Sequence, residues 1–193
     1  MSLISPYQDT HQYTRIKLEP HYFNSDLESN LLHQLRQKES KKCNKNGFID
    51  EIYNIESYKG GYISSENLSG SAMFDIKYNC RICYPIIRST IIIQVKTINQ
   101  ELIVGTNGPI FIFVPKEEID NTFWDFSENF SNKKTGKVLK ENDFVKVEII
   151  DRRINHGGFV INTIGKLLDH ASNSEVSKYF GVIEDTIDEE NFI

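Results

Sequence analysis

Cys80 and Cys83 lie three residues apart, the spacing at which many small domains hold zinc. A closed zinc site needs four ligands, the only other cysteine is Cys43, and no histidine pair sits at ligand spacing. In a strand, positions three apart face opposite sides, so these cysteines read as ordinary buried residues and no metal is expected. His156-Gly157-Gly158 could cradle a phosphate, but it falls between two expected strands and opens no helix; a hairpin turn is the better reading. The residues with the chemistry to meet a polyanion are Lys96, Lys133, Lys134, Lys137, Lys140, Arg152 and Arg153. Each lysine or arginine that neutralises a phosphate releases counterions. The plainer reading of the 133–140 cluster is a solvated loop face. Trp124, with Phe123, Phe126 and Phe130 nearby, reads as a plug over a sheet end rather than a base-stacking platform.

No serine, cysteine or carboxylate constellation for catalysis emerges, and no phosphate-binding glycine motif is present. The chain is therefore expected to be non-catalytic, with no cofactor and no small-molecule substrate. Its net charge is −5, and Glu184, Asp185, Asp188, Glu189 and Glu190 account for all of it, leaving a neutral body with an acidic end. Proteins that grip nucleic acid by charge carry a basic surplus, so any RNA contact should be weak. No apolar run approaches the length of a membrane span, and the N-terminus lacks a secretory layout. The odd count of three cysteines points to a reducing compartment. The chain is expected inside cells and not secreted.

The elements that must position these residues fall into two groups. Residues 1–13 are polar and aperiodic and read as a flexible arm. Arg15–Leu18 alternates as a strand ended by Glu19-Pro20. A helix follows over 25–39, with Ser25 and Glu28 as a capping box and Leu27, Leu31 and Leu35 as its apolar stripe. Strands are predicted over Phe48–Ile55 and Ala72–Tyr84, with a loop at Glu56–Gly61 and a weak strand at Tyr62–Ile63. One sheet packed on one helix makes a small α+β domain, 14–86. Next come short strands at Thr90–Thr97, Glu101–Gly105, Ile110–Val114, Phe144–Ile150 and Gly158–Gly165, with a long connection before the fourth. That is the pattern of a five-stranded OB barrel, 87–169. Residues 170–193 read as an acidic tail, a helical turn followed by disorder.

With these residues placed, the chain resembles the stalk subunit of multisubunit DNA-directed RNA polymerases, the seventh subunit of the eukaryotic enzyme and its archaeal counterpart. The resemblance rests on Ile16–Phe23, on Lys42–Ile49 with its Lys-Cys turn and Gly-Phe strand start, and on Ile76–Ile119. The last stretch includes Tyr84-Pro85, Gln94-Val95-Lys96, Asn99, Gly108-Pro109 and Phe113. Asp143–Ile150 and Ile164–Asp169 are similar to the family's last two strands, so the likeness covers roughly 14–169. It implies a tip domain that docks on the polymerase core, an OB domain near the RNA exit path, and a fourth-subunit-like partner supported by helix 25–39 and the Tyr84-Pro85 junction. Asn54, Ile55, Glu56, Gly60 and Gly61 are the implied core-docking residues. The drift of the sequence, its Ile and Asn bias and the Leu-Glu-Pro-His stretch resemble homologues in large nucleocytoplasmic DNA viruses, which would place it in a virion and in host cytoplasm or nucleus; a cellular homologue would be nuclear. One departure weakens the RNA role. Where the family turns its first hairpin with Gly and presents an aromatic, this chain has Leu102 and Val104, beside Glu101. A free-standing single-stranded-RNA-binding OB protein and a protein-only adaptor are the alternatives.

Overall fold

Alternating apolar side chains dictate the first sheet. Ile16 and Leu18, then Phe74, Ile76, Tyr78, Cys80 and Ile82, are all buried on one face and pack against Leu31 and Leu35 of a helix. The computed structural model describes residues 3–63, 65, 68–119, 122–125 and 130–188, with side chains to 181. In chain order, β1 is Tyr7–Leu18, α1 Leu27–Glu39, β2 Cys43–Asn44, β3 Gly47–Tyr62 and β4 Ala72–Cys83. The sheet order is β1-β4-β3-β2, with all pairs antiparallel. Then follow β5 Thr90–Ile98, β6 Leu102–Asn107, β7 Ile110–Pro115, β8 Trp124–Asp125, β9 Ser131–Asn132, β10 Phe144–Ile154, β11 Ile161–His170 and α2 Asn173–Asp188. Of these, β10-β11-β7-β6-β5 closes into a barrel, and the β7–β11 pair is parallel. Five strands with a long connection before the fourth, closed this way, make the OB fold.

Contacts group the described residues into two units. One is 7–84 with 155–159; the other is 3–6, 85–154 and 160–188. The barrel interior is lined by Ile91, Ile93, Val95, Ile103, Ile112, Val147 and Leu167, all at 0% exposure. Gly105 and Gly165 face inward where a methyl group has no room: a Cβ on Gly165 would lie 2.3 Å from Val147 Cγ1. The segment 3–6 joins the barrel unit through a parallel bridge of Leu3 to Thr90. The Tyr179 hydroxyl of α2 donates to the Ile4 carbonyl at 3.4 Å and accepts from the buried Asn107 amide at 3.2 Å.

Several expectations are corrected. The arm expected at 1–13 is strand from Tyr7 onward, paired with β4 along its whole length. Its outward side chains are polar, which hides the alternation that Gln12, Ile16 and Leu18 make on the buried face. The capping box at Ser25 and Glu28 does not form; α1 starts at Leu27, and Asn24 Oδ1 instead accepts the Asp26 N–H and the Asn30 amide. The expected loop Glu56–Gly61 is part of β3, whose bulges after Ile55 and at Gly60 absorb it. The last barrel strand begins later than Gly158 and runs to His170. The tail expected over 170–193 is helix through Asp188, capped by Ser172 and Glu175; Glu189 and Glu190 lie outside the described residues. No described helix is long and apolar enough to cross a membrane.

Candidate nucleic-acid and docking interfaces

The docking residues expected at the end of the first sheet split three ways. Ile55, 9% exposed, lies in the core and offers nothing to a partner. Asn54 and Glu56 belong to a polar lattice on the sheet's open face. Asn79 donates to Asn54 Oδ1 at 2.9 Å, His11 Nδ1 lies 2.8 Å from Glu56 Oε2, and Lys77 also reaches Glu56. The Lys77 ammonium, aided by His11, holds the Glu56 carboxyl below the usual carboxylate range. Gly60 and Gly61 have φ of +116° and +85°, and a Cβ on Gly60 would sit 2.6 Å from the Met73 carbonyl oxygen. Their conformation bends the distal β3–β4 hairpin, and no larger residue fits Gly60. Beside them Tyr58, Tyr62, Ile63 and Leu68 are exposed, an apolar group at the end of a stiff sheet. Sequence reasoning took in Tyr58 only as part of the stretch Asn54–Gly61 and missed Tyr62, Ile63 and Leu68; the signal was the aromatic flanks of the Gly-Gly pair in Tyr58–Tyr62.

The candidate cations on the barrel are not brought together. Lys137 pairs with Asp143 at 3.7 Å, and Lys134 lies 4.3 Å above the Phe123 ring. Arg152 donates to the Pro85 carbonyl, and Lys96, at a bulge in β5, donates to Gln94 at 2.6 Å. Lys133, Lys140 and Arg153 are exposed. Trp124 is fully buried and donates to the Leu168 carbonyl at 3.1 Å, with its ring 5.2 Å from His170; it plugs the connection and cannot stack a base. Phe126 lies outside the described residues. Lys134, Lys146, Lys166 and Phe123 line a groove of about 460 Å³, but Glu148 and Asp169 line it too, and Lys146 is bound to Glu175 at 3.1 Å.

The barrel's outer face has an aromatic row that sequence reasoning did not single out. Register carries one line of outward side chains across the strands: Gln94, Thr106, Phe111, Asn162 and Arg153. A second line runs Val104, Phe113, Ile164 and Asp151. Phe111 is 37% exposed and Ile164 43%. A shallow groove of about 210 Å³ lies along Phe113, Arg153, Asn162 and Ile164. Residues two apart on one strand face share that face at about 7 Å separation, so the two rings stand side by side. The alternation Ile110-Phe111-Ile112-Phe113-Val114 was the available signal: an aromatic at each outward position, where solvent favours polar groups. Phe113 stands directly across the β6–β7 pair from Val104.

The remaining motifs are structural. Gly158 N–H bonds the Asn155 carbonyl at 2.9 Å and Gly157 N–H the Cys43 carbonyl at 2.7 Å, so the His156-Gly157-Gly158 turn has neither glycine amide to offer a phosphate. All three cysteines are buried, and burial pushes the Cys80 thiol up to about 12. Among the described residues no group of three or more His, Cys, Asp or Glu is placed to hold a metal ion.

No family model matches the chain. Over 199 aligned residues spanning the whole of both proteins, it is 33% identical to a provisionally named DNA-directed RNA polymerase subunit of Acanthamoeba polyphaga mimivirus. Over 145 residues, 72% of this chain and 81% of the other, it is 26% identical to DNA-directed RNA polymerase II subunit RPB7 of Glycine max.

Proposed function

Because the chain belongs to the RPB7-like stalk-subunit family of DNA-directed RNA polymerases, we propose that it is a non-catalytic subunit that docks on a polymerase core and holds its OB barrel where emerging RNA passes. The observation that carries the docking half is the exposed group Tyr58, Tyr62, Ile63 and Leu68 at the glycine-bent end of β3 and β4. Exposed aromatic and aliphatic clusters on rigid elements are the usual anchors of protein interfaces. For the RNA half, the support is the Phe111 and Phe113 pair with Arg153 beside it. Aromatic faces stack bases without regard to sequence, which suits a passing transcript.

The test is affinity purification of the tagged chain from its native source at moderate salt. Co-elution with the two largest polymerase subunits, lost in a Tyr62→Asp, Leu68→Asp variant, is the expected result. Recovery with RNA-processing factors alone would sink the polymerase reading and favour a free RNA-binding protein. Pairing of the barrel cations, Lys137 with Asp143 and Arg152 with Pro85, favours a second reading in which the barrel contacts only protein. That reading predicts unchanged nascent-RNA crosslinking when Lys133, Lys134, Lys137 and Lys140 are all replaced by Glu and when Phe111 and Phe113 are replaced by Ala.

A further inference from the structure

The groove of about 210 Å³ beside Phe113 is set apart by what its polar groups have left to offer. Two of the residues lining it are already committed. Arg152 donates to the Pro85 carbonyl, and the Thr163 hydroxyl donates to the Phe111 carbonyl at 3.1 Å. The other three polar ones keep hydrogen-bond capacity in hand. Asp151 accepts the Arg152 N–H through Oδ1 at 2.8 Å, which leaves Oδ2 open. The Arg153 guanidinium and the Asn162 amide form no side-chain bond among the described residues.

Strand register sets their layout. Phe113, Ile164 and Asp151 lie in one line across β7, β11 and β10, so the carboxylate stands two strand spacings, about 10 Å, from the β7 main chain that carries the ring. Arg153 lies two residues along from Asp151 on the same outward side, about 7 Å away, and opposite Asn162. A flat molecule resting on Phe113 and Ile164 therefore presents one edge to an acceptor at Asp151 and to a forked donor at Arg153.

Stacking does not distinguish bases, but an edge does. Guanine alone among the four RNA bases carries two adjacent donors, N1–H and the N2 amino group, followed around the ring by two acceptors, O6 and N7. A carboxylate takes both donors, and an arginine fork takes both acceptors. Adenine and cytosine put a ring acceptor where guanine has N1–H, and uracil flanks its single N–H with two carbonyls, so each sets a lone pair against Asp151. An acid also repels a phosphate backbone, so on an RNA face Asp151 is out of place unless a base uses it.

We propose that this groove is a subsite for one guanine of a single strand: Phe113 stacks the base, Asp151 accepts from N1–H and the N2 amino group, and Arg153 donates to O6 and N7. The inference rests on the reading of this face as the RNA face and adds a base preference to it. A partner protein's arginine fits Asp151 and the ring but is repelled by Arg153, whereas a guanine uses both.

Anisotropy titrations of the full chain with short labelled oligouridines decide it, the strands being plain or carrying one central guanosine, adenosine or inosine. The guanosine strand should bind about fivefold tighter than the adenosine strand, and inosine, which keeps O6 and N7 but lacks the N2 amino group, should fall between them. Asp151→Asn keeps an acceptor for the Arg152 N–H, so it should fold. It should erase the guanosine advantage and leave plain oligouridine binding within about twofold of the parent. Equal binding of the guanosine and adenosine strands by the parent overturns the subsite and leaves the RNA reading standing. Failure to bind any strand removes the RNA reading and the subsite with it. A guanosine advantage that survives in folded Asp151→Asn, or loss of oligouridine binding in that variant, also overturns the proposal. If Asp151→Asn instead weakens retention on polymerase with no change in base preference, the groove holds a partner's basic side chain and the proposal is overturned.

Discussion

Replacing both Phe111 and Phe113 with Ala should weaken single-stranded RNA binding by roughly 30-fold. Stacking on an aromatic side chain is worth about 1–3 kcal/mol per base. Phe111 is 37% exposed and Phe113 is half-buried against β6 and β11, so each ring offers only part of a face and the low end applies. Two such contacts give about 2 kcal/mol, and each 1.4 kcal/mol is a factor of about ten. Both rings sit on β7, whose inward residues Ile110, Ile112 and Val114 carry the core, so truncating the outward ones leaves the barrel standing. The assay is fluorescence anisotropy with a short labelled RNA, at low and at physiological salt, on variants checked by circular dichroism. The loss should be of similar size at both salts, because stacking releases no counterions. Changing Lys133, Lys134, Lys137 and Lys140 to Glu should instead flatten the salt dependence. If the folded double variant binds within about twofold of the parent, the aromatic row is not the RNA face.

Ser172→Ala removes the cap of α2 and should cost about 1 kcal/mol of stability, read by denaturant unfolding. The Ser172 main-chain N–H, together with the Lys146 ammonium and the Ser172 hydroxyl that donates to Glu175 Oε2 at 2.9 Å, holds the Glu175 carboxyl below its ordinary value of 4.5, and Ala removes the hydroxyl's share. Its contribution is therefore full above that value and is lost as pH falls through the lower folded one; the Ser172→Ala penalty should shrink in acid. His170 presents two buried ring nitrogens that find no hydrogen-bond partner of good geometry among the described residues, and burial, with Lys137 close by and against the pull of Asp143, lowers its pKa from the ordinary 6.5. The neutral ring's contribution is complete above about 6.5 and falls away as pH drops through the folded value, so His170→Phe should flatten the stability profile across that window. Gly165→Ala forces a Cβ to within 2.3 Å of Val147. Overpacking of that kind costs about 1–3 kcal/mol and should lower the melting temperature of the barrel by roughly 5–20 °C.

What the sequence disclosed depended on whether burial left an imprint on side-chain type. Three of the barrel strands, β5, β7 and β10, were legible because their inward residues are all Ile or Val, whereas β6 and β11 turn Gly105, Asn107, Thr163 and Gly165 inward as well. β1 was half legible: its outward Asp9, His11, Tyr13 and Arg15 are as polar as a loop, and its pairing with β4 is a long-range fact that no local pattern carries. The two capping boxes make the point at equal spacing. Ser25 and Glu28 have the right types, yet Asn24 takes the amide first; Ser172 and Glu175 have the same types and form the box. The second was overlooked because the acidic run beyond it reads as disorder, while Tyr179 and Phe180, which anchor the helix through Asn107 and Phe144, look unremarkable in sequence. The candidate site followed the same rule. Lysines were conspicuous but are mostly paired, whereas the phenylalanines that define a face were hidden inside what looked like one more apolar strand.

The charge balance then decides what sort of RNA contact such a barrel can make. A neutral body, with Lys134 over a ring and Lys137 held by Asp143, leaves few cations to follow a phosphate backbone. Each phosphate contact a protein lacks removes about 0.7 from the salt slope of single-strand binding, so affinity carried by Phe111 and Phe113 would be weak and nearly salt-independent. Weak stacking with fast exchange lets a strand slide, because every base offers the same face to the ring. A subunit that must let a lengthening transcript pass gains nothing from tight electrostatic capture. Under the proposed function its hold on a polymerase comes from elsewhere, and the exposed apolar group at the far end of β3 is where such a hold can be built.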